Sequence, residues 1–359
     1  MQKILLSDLK NGMITAEDVF SVDGQLIVPK GIALTENLIA RLFSFDIFSI
    51  KIEDEVLTTN VTEADLSETS YAEKLKASPD FQAFKEEFKE NVDKLAFSLN
   101  ALVEKNAEFD AQGLLSDTMG LINHRDSHTG IMDMILNMQD YDDCTYAHSL
   151  NVALICNIFA GWLHFSPAER ELATACGLFH DVGKIQIPAE IIKKPGKLTP
   201  AEYNIVKTHP LESYKMLSRY NLPDEVKNAA LMHHERCDGS GYPYGFTAEK
   251  ISRFAKLVAI ADVYEAMTSR RTYREALCPF HVITHFENDG LQKYDPAFLL
   301  PFLENVVNTF LNQRVRLTNG LEGNIIFINP VALSKPTIKI GDKFLDLKAV
   351  DNVEIEKII

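Results

Sequence analysis

All ten histidines of this 359-residue chain lie between residues 124 and 285. They fall inside a stretch, from about 130 to 310, whose apolar residues recur at helical spacing and whose breaks coincide with Pro and Gly. Within it, Leu150 to Leu163 is apolar nearly all round, a pattern that a helix sustains only when buried. The spacing therefore predicts a mainly α protein with an all-helical domain over 131–311. With 46% hydrophobic and 24% charged residues, the composition is that of a globular chain, not a disordered, collagen-like or disulfide-stapled one.

The flanks read differently. Residues 1–55 form a small α/β N-terminal module: Asp23-Gly24 turns between two short strands, Thr35 caps a helix carrying Leu38, Ile39 and Leu42, and Phe48 to Ile52 is another strand. Residues 56–130 hold an acidic linker and a long helix. Six acidic residues and no Lys or Arg lie between 52 and 72. Phe81, Phe84, Phe88, Val92, Leu95, Leu99, Leu102 and Phe109 then share one helical stripe. Two readings of the stripe stand: packing against the chain's own domain, favoured by its shortness and aromatic content, or a homodimer seam. From 312 to 359 the period becomes two, a β-rich segment expected to pair with the N-terminal module into one small domain, because isolated hairpins are marginal in water.

A net charge of 36 − 51 = −15 argues against polymeric nucleic acid or an anionic membrane as partner. No apolar run approaches the roughly 20 residues of a membrane helix. The five cysteines are odd in number and form no C-x-x-C pair, so reduced thiols and a cytoplasmic location are expected.

Imidazoles and carboxylates together suit Fe, Mn, Zn and similar ions. His180-Asp181 closes an apolar stretch and precedes Val182-Gly183-Lys184; the two can serve one centre if the helix ends there. His233-His234 repeats the arrangement and leads into Asp238-Gly239-Ser240-Gly241-Tyr242-Pro243. Asp262 sits in an apolar helix and needs a cation or hydrogen-bond donors, with Arg270 or Lys184 as the bland alternative. The pairs His124/His128 and His281/His285 have a metal-compatible spacing but no motif around them.

The fragments HDVGKIQIP, KPGKLTPAEYNIVKTHP, HHERCDGSGYP and ADVYEAMTSRRTYREAL, in this order between about Tyr141 and Phe310, resemble the HD-GYP family, a branch of the HD-domain metal-dependent phosphohydrolases. The resemblance implies hydrolysis of cyclic di-GMP at a multinuclear centre, usually of iron or manganese. It implies His148, His180, Asp181, His209, His233, His234 and Asp262 as metal ligands, with Asp181 bridging. It places Lys184 near the scissile phosphate, Arg271 and Arg274 on phosphates, and Gly241-Tyr242-Pro243 in the name-giving loop. Where some members carry a third metal on a Glu four residues before the first His, this chain has Cys144, with Asp143 a poorer substitute. Two metals, and linear pGpG as the main product, are therefore expected. Glu265, where the family often has Asp, Thr272, where it often has Pro, and the Gly245-Phe246-Thr247-Ala248 segment bear on substrate fit. The alternatives are a phosphodiesterase for another cyclic dinucleotide, or a non-catalytic nucleotide sensor or scaffold that docks signalling proteins.

Overall fold

Helix punctuation in this chain is local chemistry. Ser166 accepts from the backbone N–H of Glu169, whose carboxylate returns to the Ser166 N–H, and Pro167 follows. Thr199, Pro200 and Glu202 repeat that box. Ser78, Ser252 and Asp295 cap further helices with their side-chain oxygens.

In the computed structural model of the chain, the residues described are 2–5, 9, 13–17, 19, 20, 26–28, 34, 39, 42, 49–52, 71–103, 108–123, 128–138, 144–194, 196–269, 276–341 and 343–359. The chain divides into two units, Met1–Thr69 and Ser70–Ile359. In the first, β1 (Gln2–Leu5) pairs antiparallel with β4 (Ser49–Ile52), and β2 (Val19–Phe20) with β3 (Leu26–Val28). The expected Asp23-Gly24 turn lies outside the described residues. A small core of Leu9, Val19, Val28, Leu34, Leu42, Ile50 and Ile52 belongs to this unit.

The second unit is helical first and β-rich last. Its helices are α1 (Tyr71–Ala77), α2 (Pro79–Ala101), α3 (Ala111–Asn123), α4 (His128–Asn137), α5 (Cys144–Trp162), α6 (Pro167–Phe179), α7 (Ala189–Ile192), α8 (Pro200–Val206), α9 (His209–Leu217), α10 (Asp224–Met232), α11 (Arg253–Thr268), α12 (Pro279–His285), α13 (Leu291–Lys293) and α14 (Pro296–Thr309). A tight 3-10 turn, Val182–Gln186, joins α6 to α7, and a π-helical turn, Phe286–Gly290, joins α12 to α13. The α5 helix is buried from Ala147 to Ala160, as its composition requires.

The aromatic stripe of α2 is buried in the same core as α5, α6 and α11, and packs on α3 and α5. Intrachain packing uses it up, so it is not a dimer seam. Five strands follow: β5 (Arg314–Leu317), β6 (Glu322–Phe327), β7 (Thr337–Ile340), β8 (Lys343–Asp346) and β9 (Ile355–Ile358), in one antiparallel sheet of order β8-β7-β6-β5-β9. These strands bury Val315, Leu317, Ile325, Ile338 and Ile355 in the core of the helical unit. Burial there supplies the apolar partner that isolated hairpins lack. No helix among the described residues is long and apolar enough to cross a membrane.

Candidate metal centre

Three histidines end up at helix ends for one reason. The last carbonyls of a helix have no intrahelical donor. His180 follows α6, and its Nδ1 lies 2.7 Å from the Gly177 carbonyl. His233 follows α10, with Nδ1 2.9 Å from the Ala230 carbonyl. His209, just beyond α8, has Nδ1 2.7 Å from the Val206 carbonyl. A carbonyl only accepts, so each Nδ1 carries the proton and each Nε2 presents a lone pair. His234 comes next along the chain from His233.

These lone pairs converge. His209 Nε2 and His233 Nε2 lie 3.2 Å apart. Two bare acceptors at that distance repel unless a cation lies between or beside them. Asp181 stands at the junction. Its Oδ1 is 3.2 Å from His209 Nε2 and 3.6 Å from His233 Nε2, and its Oδ2 is 3.5 Å from His148 Nε2 and 3.3 Å from His180 Nε2. Asp181 adopts φ −104, ψ 9 between α6 and the 3-10 turn. The helix therefore ends at the expected place, and adjacent residues can face one centre.

Gly183 is needed there for close approach. A Cβ would run into the His209 carbonyl and the backbone of Ser213, whose hydroxyl accepts from Gly183 N–H at 2.8 Å. Asp262, from α11, closes the other side: Oδ1 is 3.0 Å from His148 Nε2 and 3.9 Å from His180 Nε2, and Oδ2 is 4.0 Å from His234 Nδ1. It faces imidazoles; Lys184 of its bland reading pairs with Asp181, and Arg270 lies outside the described residues.

The ligand atoms therefore form two groups, Asp181/His209/His233/His234 and His148/His180/Asp262, each within 4.8 Å. The donor set and its defects fit divalent cations. His180 Nε2 and Asp181 Oδ1 are buried without a hydrogen bond, a costly state that a metal relieves. Burial pulls His233 down to about 4, helped by His180 and His209 against Asp181, and lowers His234 as well. Neutral imidazoles of this kind are the ligating form. His148 differs: burial opposes its charge, but Glu265, Asp181 and Asp262 outweigh burial and raise it to about 10. Without a metal a proton holds that group together; a metal competes with the proton for the same lone pair.

Two side chains here were not foreseen as site residues. Glu265, three residues after Asp262 on α11, is buried, and its Oε2 lies 2.5 Å from His148 Nδ1. Its Oε1 accepts from Asn151 at 3.1 Å and from the Ser269 hydroxyl at 2.7 Å. Glu265 therefore orients His148, a candidate ligand, a role beyond the substrate fit read for it from the sequence. The signal available in the sequence was its i, i+3 spacing from Asp262 in an apolar helix.

Glu235, after the His pair, is also buried. Its carboxylate accepts from Tyr244 N–H at 2.8 Å and Phe246 N–H at 2.9 Å, pinning the glycine-rich loop. Nothing in the sequence separates it from a solvated Glu. A Cβ on Gly241 would run into the backbone of His234, Glu235 and Arg236, so only glycine lets the loop fold back. Tyr242 then stacks on His234 with centroids 4.6 Å apart, and Pro243 follows in the same loop.

Lys184 pairs with Asp181 and is 22% exposed where Asp181 is 1% exposed, so it lies between the buried carboxylate and solvent. Arg271, Arg274, Thr272, Asp143 and the side chain of Cys144 lie outside the described residues. So do His124 and the side chain of His128. His281 faces Glu354 at 3.7 Å, away from both metal-type groups.

A helical fold with this His/Asp centre defines an HD domain, and residues 130–298 match that family, described as HD domain. With HDVGK at Asp181, HHE at His233 and the Gly-Tyr-Pro loop beside them, this segment carries the motifs on which its resemblance to the HD-GYP branch rests. A cyclic di-GMP phosphodiesterase of Pseudomonas aeruginosa is 34% identical over 216 residues, 59% of this chain and 51% of that protein. A 3'3'-cGAMP-specific phosphodiesterase of Vibrio cholerae is 38% identical over 133 residues, 37% of this chain and 31% of that protein. The chain thus spans half the length, or less, of these relatives. An HDG"Y"P protein from Bdellovibrio bacteriovorus shares the fold, with TM-score 0.51 and 16% identity over 85% of this chain and 99% of that one.

Proposed function

We propose that the protein is a metal-dependent phosphodiesterase that hydrolyses cyclic di-GMP, mainly to linear pGpG, with two divalent ions, iron or manganese. The observation that carries this reading is the pair of adjoining ligand groups, with Asp181 Oδ1 toward His209 and His233 of its own group and Oδ2 toward His148 and His180 of the other. When bound, such ions supply Lewis acidity toward the phosphodiester oxygens and lower the pKa of a water. The assigned holders are His148, His180, Asp181, His209, His233, His234 and Asp262.

The chain's own residues do the rest. Lys184 stands on the solvent side of Asp181, so an approaching phosphate meets a point cation. Tyr242 walls the site over His234, and Gly241 and Pro243 shape its loop. Arg271 and Arg274 are assigned to phosphate contacts by the family resemblance. The free thiols of Cys156, Cys176, Cys237 and Cys278 suit a reducing compartment, and we place the protein in the cytoplasm.

Protein purified without air, assayed for metal and incubated with cyclic di-GMP, should contain two ions per chain and yield pGpG by chromatography. GMP as the main product refutes the two-metal account, and no turnover with iron or manganese refutes the activity. A second substrate, 3'3'-cGAMP, is favoured by the likeness to the Vibrio cholerae protein; a higher kcat/KM for it than for cyclic di-GMP would select that reading.

A further inference from the structure

We propose that Lys207 and Tyr203 form a second substrate subsite beside the metal centre, which holds the non-scissile phosphate and an adjoining purine of a cyclic dinucleotide. This rests on the cyclic-dinucleotide reading above.

A cyclic dinucleotide carries two phosphodiesters, each flanked by purine nucleosides. When one phosphate is at the metal centre, the other remains an anion that needs a cation of its own, and the bases need flat faces. The structure places both features next to His234. Tyr242 stacks on the His234 ring, Lys207 Nζ lies 6.0 Å from the Tyr242 ring centroid, and the same Nζ lies 5.2 Å from the Tyr203 ring centroid. Lys207 is the C-cap of α8, two residues before His209, so its position is tied to that of a ligand. Tyr203 is 47% exposed, a large aromatic face open to solvent.

The other described cations near the centre are engaged. Lys184 pairs with Asp181, and Lys194 pairs with Glu202 at 2.7 Å. Arg236 donates to the carbonyls of His233 and Glu235. Lys207 has no carboxylate within 4.0 Å among the described residues. A lysine at a helix C-terminus also complements the helix dipole, which is the bland account of it. That account explains neither the two tyrosine rings whose centroids lie 5.2 and 6.0 Å from the ammonium nor the open face of Tyr203. Aromatic faces that accept any base, combined with a cation for the backbone, are the general means of holding a nucleotide strand.

The test compares two substrates on the metal-loaded protein: cyclic di-GMP, and bis(4-nitrophenyl) phosphate, a diester with one phosphate and no purine. Lys207→Met should raise KM for cyclic di-GMP about ten- to hundredfold, the loss expected for a hydrogen bond to a charged group. The kcat/KM ratio of cyclic di-GMP to the small diester should fall with it. Lys207→Arg should recover most of the ratio, and Tyr203→Ala should lower it about tenfold or more, as for a lost base stack.

An unchanged ratio in Lys207→Met overturns the subsite while leaving the activity in place. An equal loss on both substrates also overturns it, because Lys207 would then act through the centre or the fold. Wild-type protein that cleaves the small diester but not cyclic di-GMP refutes the cyclic-dinucleotide reading itself, and the subsite falls with it.

Discussion

Glu265 offers the sharpest test of how the centre is held. Glu265→Gln keeps the shape and removes the charge. With its oxygen toward His148, the new amide NH2 faces Ser269, whose hydroxyl can accept, and Asn151. Asn151 can turn to offer Oδ1, which is buried without a partner in the native protein. The fold should therefore survive. What changes is the bond to His148 Nδ1, now 2.5 Å from a carboxylate oxygen.

A charge-assisted hydrogen bond contributes about 1.5–3 kcal/mol and a neutral one about 0.5–1.5, so the difference is on the order of 1–2 kcal/mol. At about 1.4 kcal/mol per tenfold, that is roughly a five- to thirtyfold weaker metal at the His148/His180/Asp262 group. The range agrees with the roughly 10–100-fold typical of lost supporting bonds at metal-bound histidines. Metal titration with content measured per chain, beside circular dichroism, reads the effect. The expected result is one weakened site and one unchanged, with native helicity, and Glu265→Asp closer to wild type than Gln. Two sites of native affinity in Glu265→Gln would refute the claim that the carboxylate supports a ligand.

Other consequences follow from the same geometry. Asp181→Ala, which removes the carboxylate that faces the imidazoles of both groups, should abolish binding of both metals and all turnover while circular dichroism stays helical; full turnover would contradict that role. Chelation should lower the melting temperature, roughly with the logarithm of the free-metal concentration, because an ion bound only by the folded state stabilises it by mass action; a chelator-insensitive transition would argue against a metal site. Glu235→Gln should leave metal content near native but raise KM, since Tyr244 and Phe246 N–H groups lose a buried carboxylate; protection of these amides from hydrogen exchange should drop. At the start of α6, backbone and side-chain bonds from Ser166, with the Arg253 pair, hold Glu169 at about 2. Its carboxylate therefore supports the cap above pH 4.5, and that support is lost as pH falls toward 2. Exchange at the first turn of α6 should rise across that window.

Residue types and spacing alone determined the helical centre of this chain and the burial of α5, and they pointed to His180-Asp181, His233-His234 and Asp262; the full set, with His148 and His209, came from the family resemblance. Those signals are local: an apolar run without a polar face must be buried, and a His-Asp or His-His pair at a helix end is visible as text. The facing of Asp181 toward both ligand groups follows from a helix that ends beside it, which the neighbouring Gly183 hinted at. The reason for that glycine was different, a close approach to the backbone at His209 and Ser213, 26 to 30 positions away.

Only the tertiary structure decided which carboxylate supports which imidazole. Glu265 and His148 are 117 positions apart, and nothing along the chain couples them until α5 and α11 pack. The same holds for Glu235, whose buried acceptors are used by a loop that folds back over it, and for the C-terminal strands, whose apolar faces are buried in the helical core. Periodicity states that a face is to be buried, but the surface that buries it is settled by the sum of contacts over the whole fold.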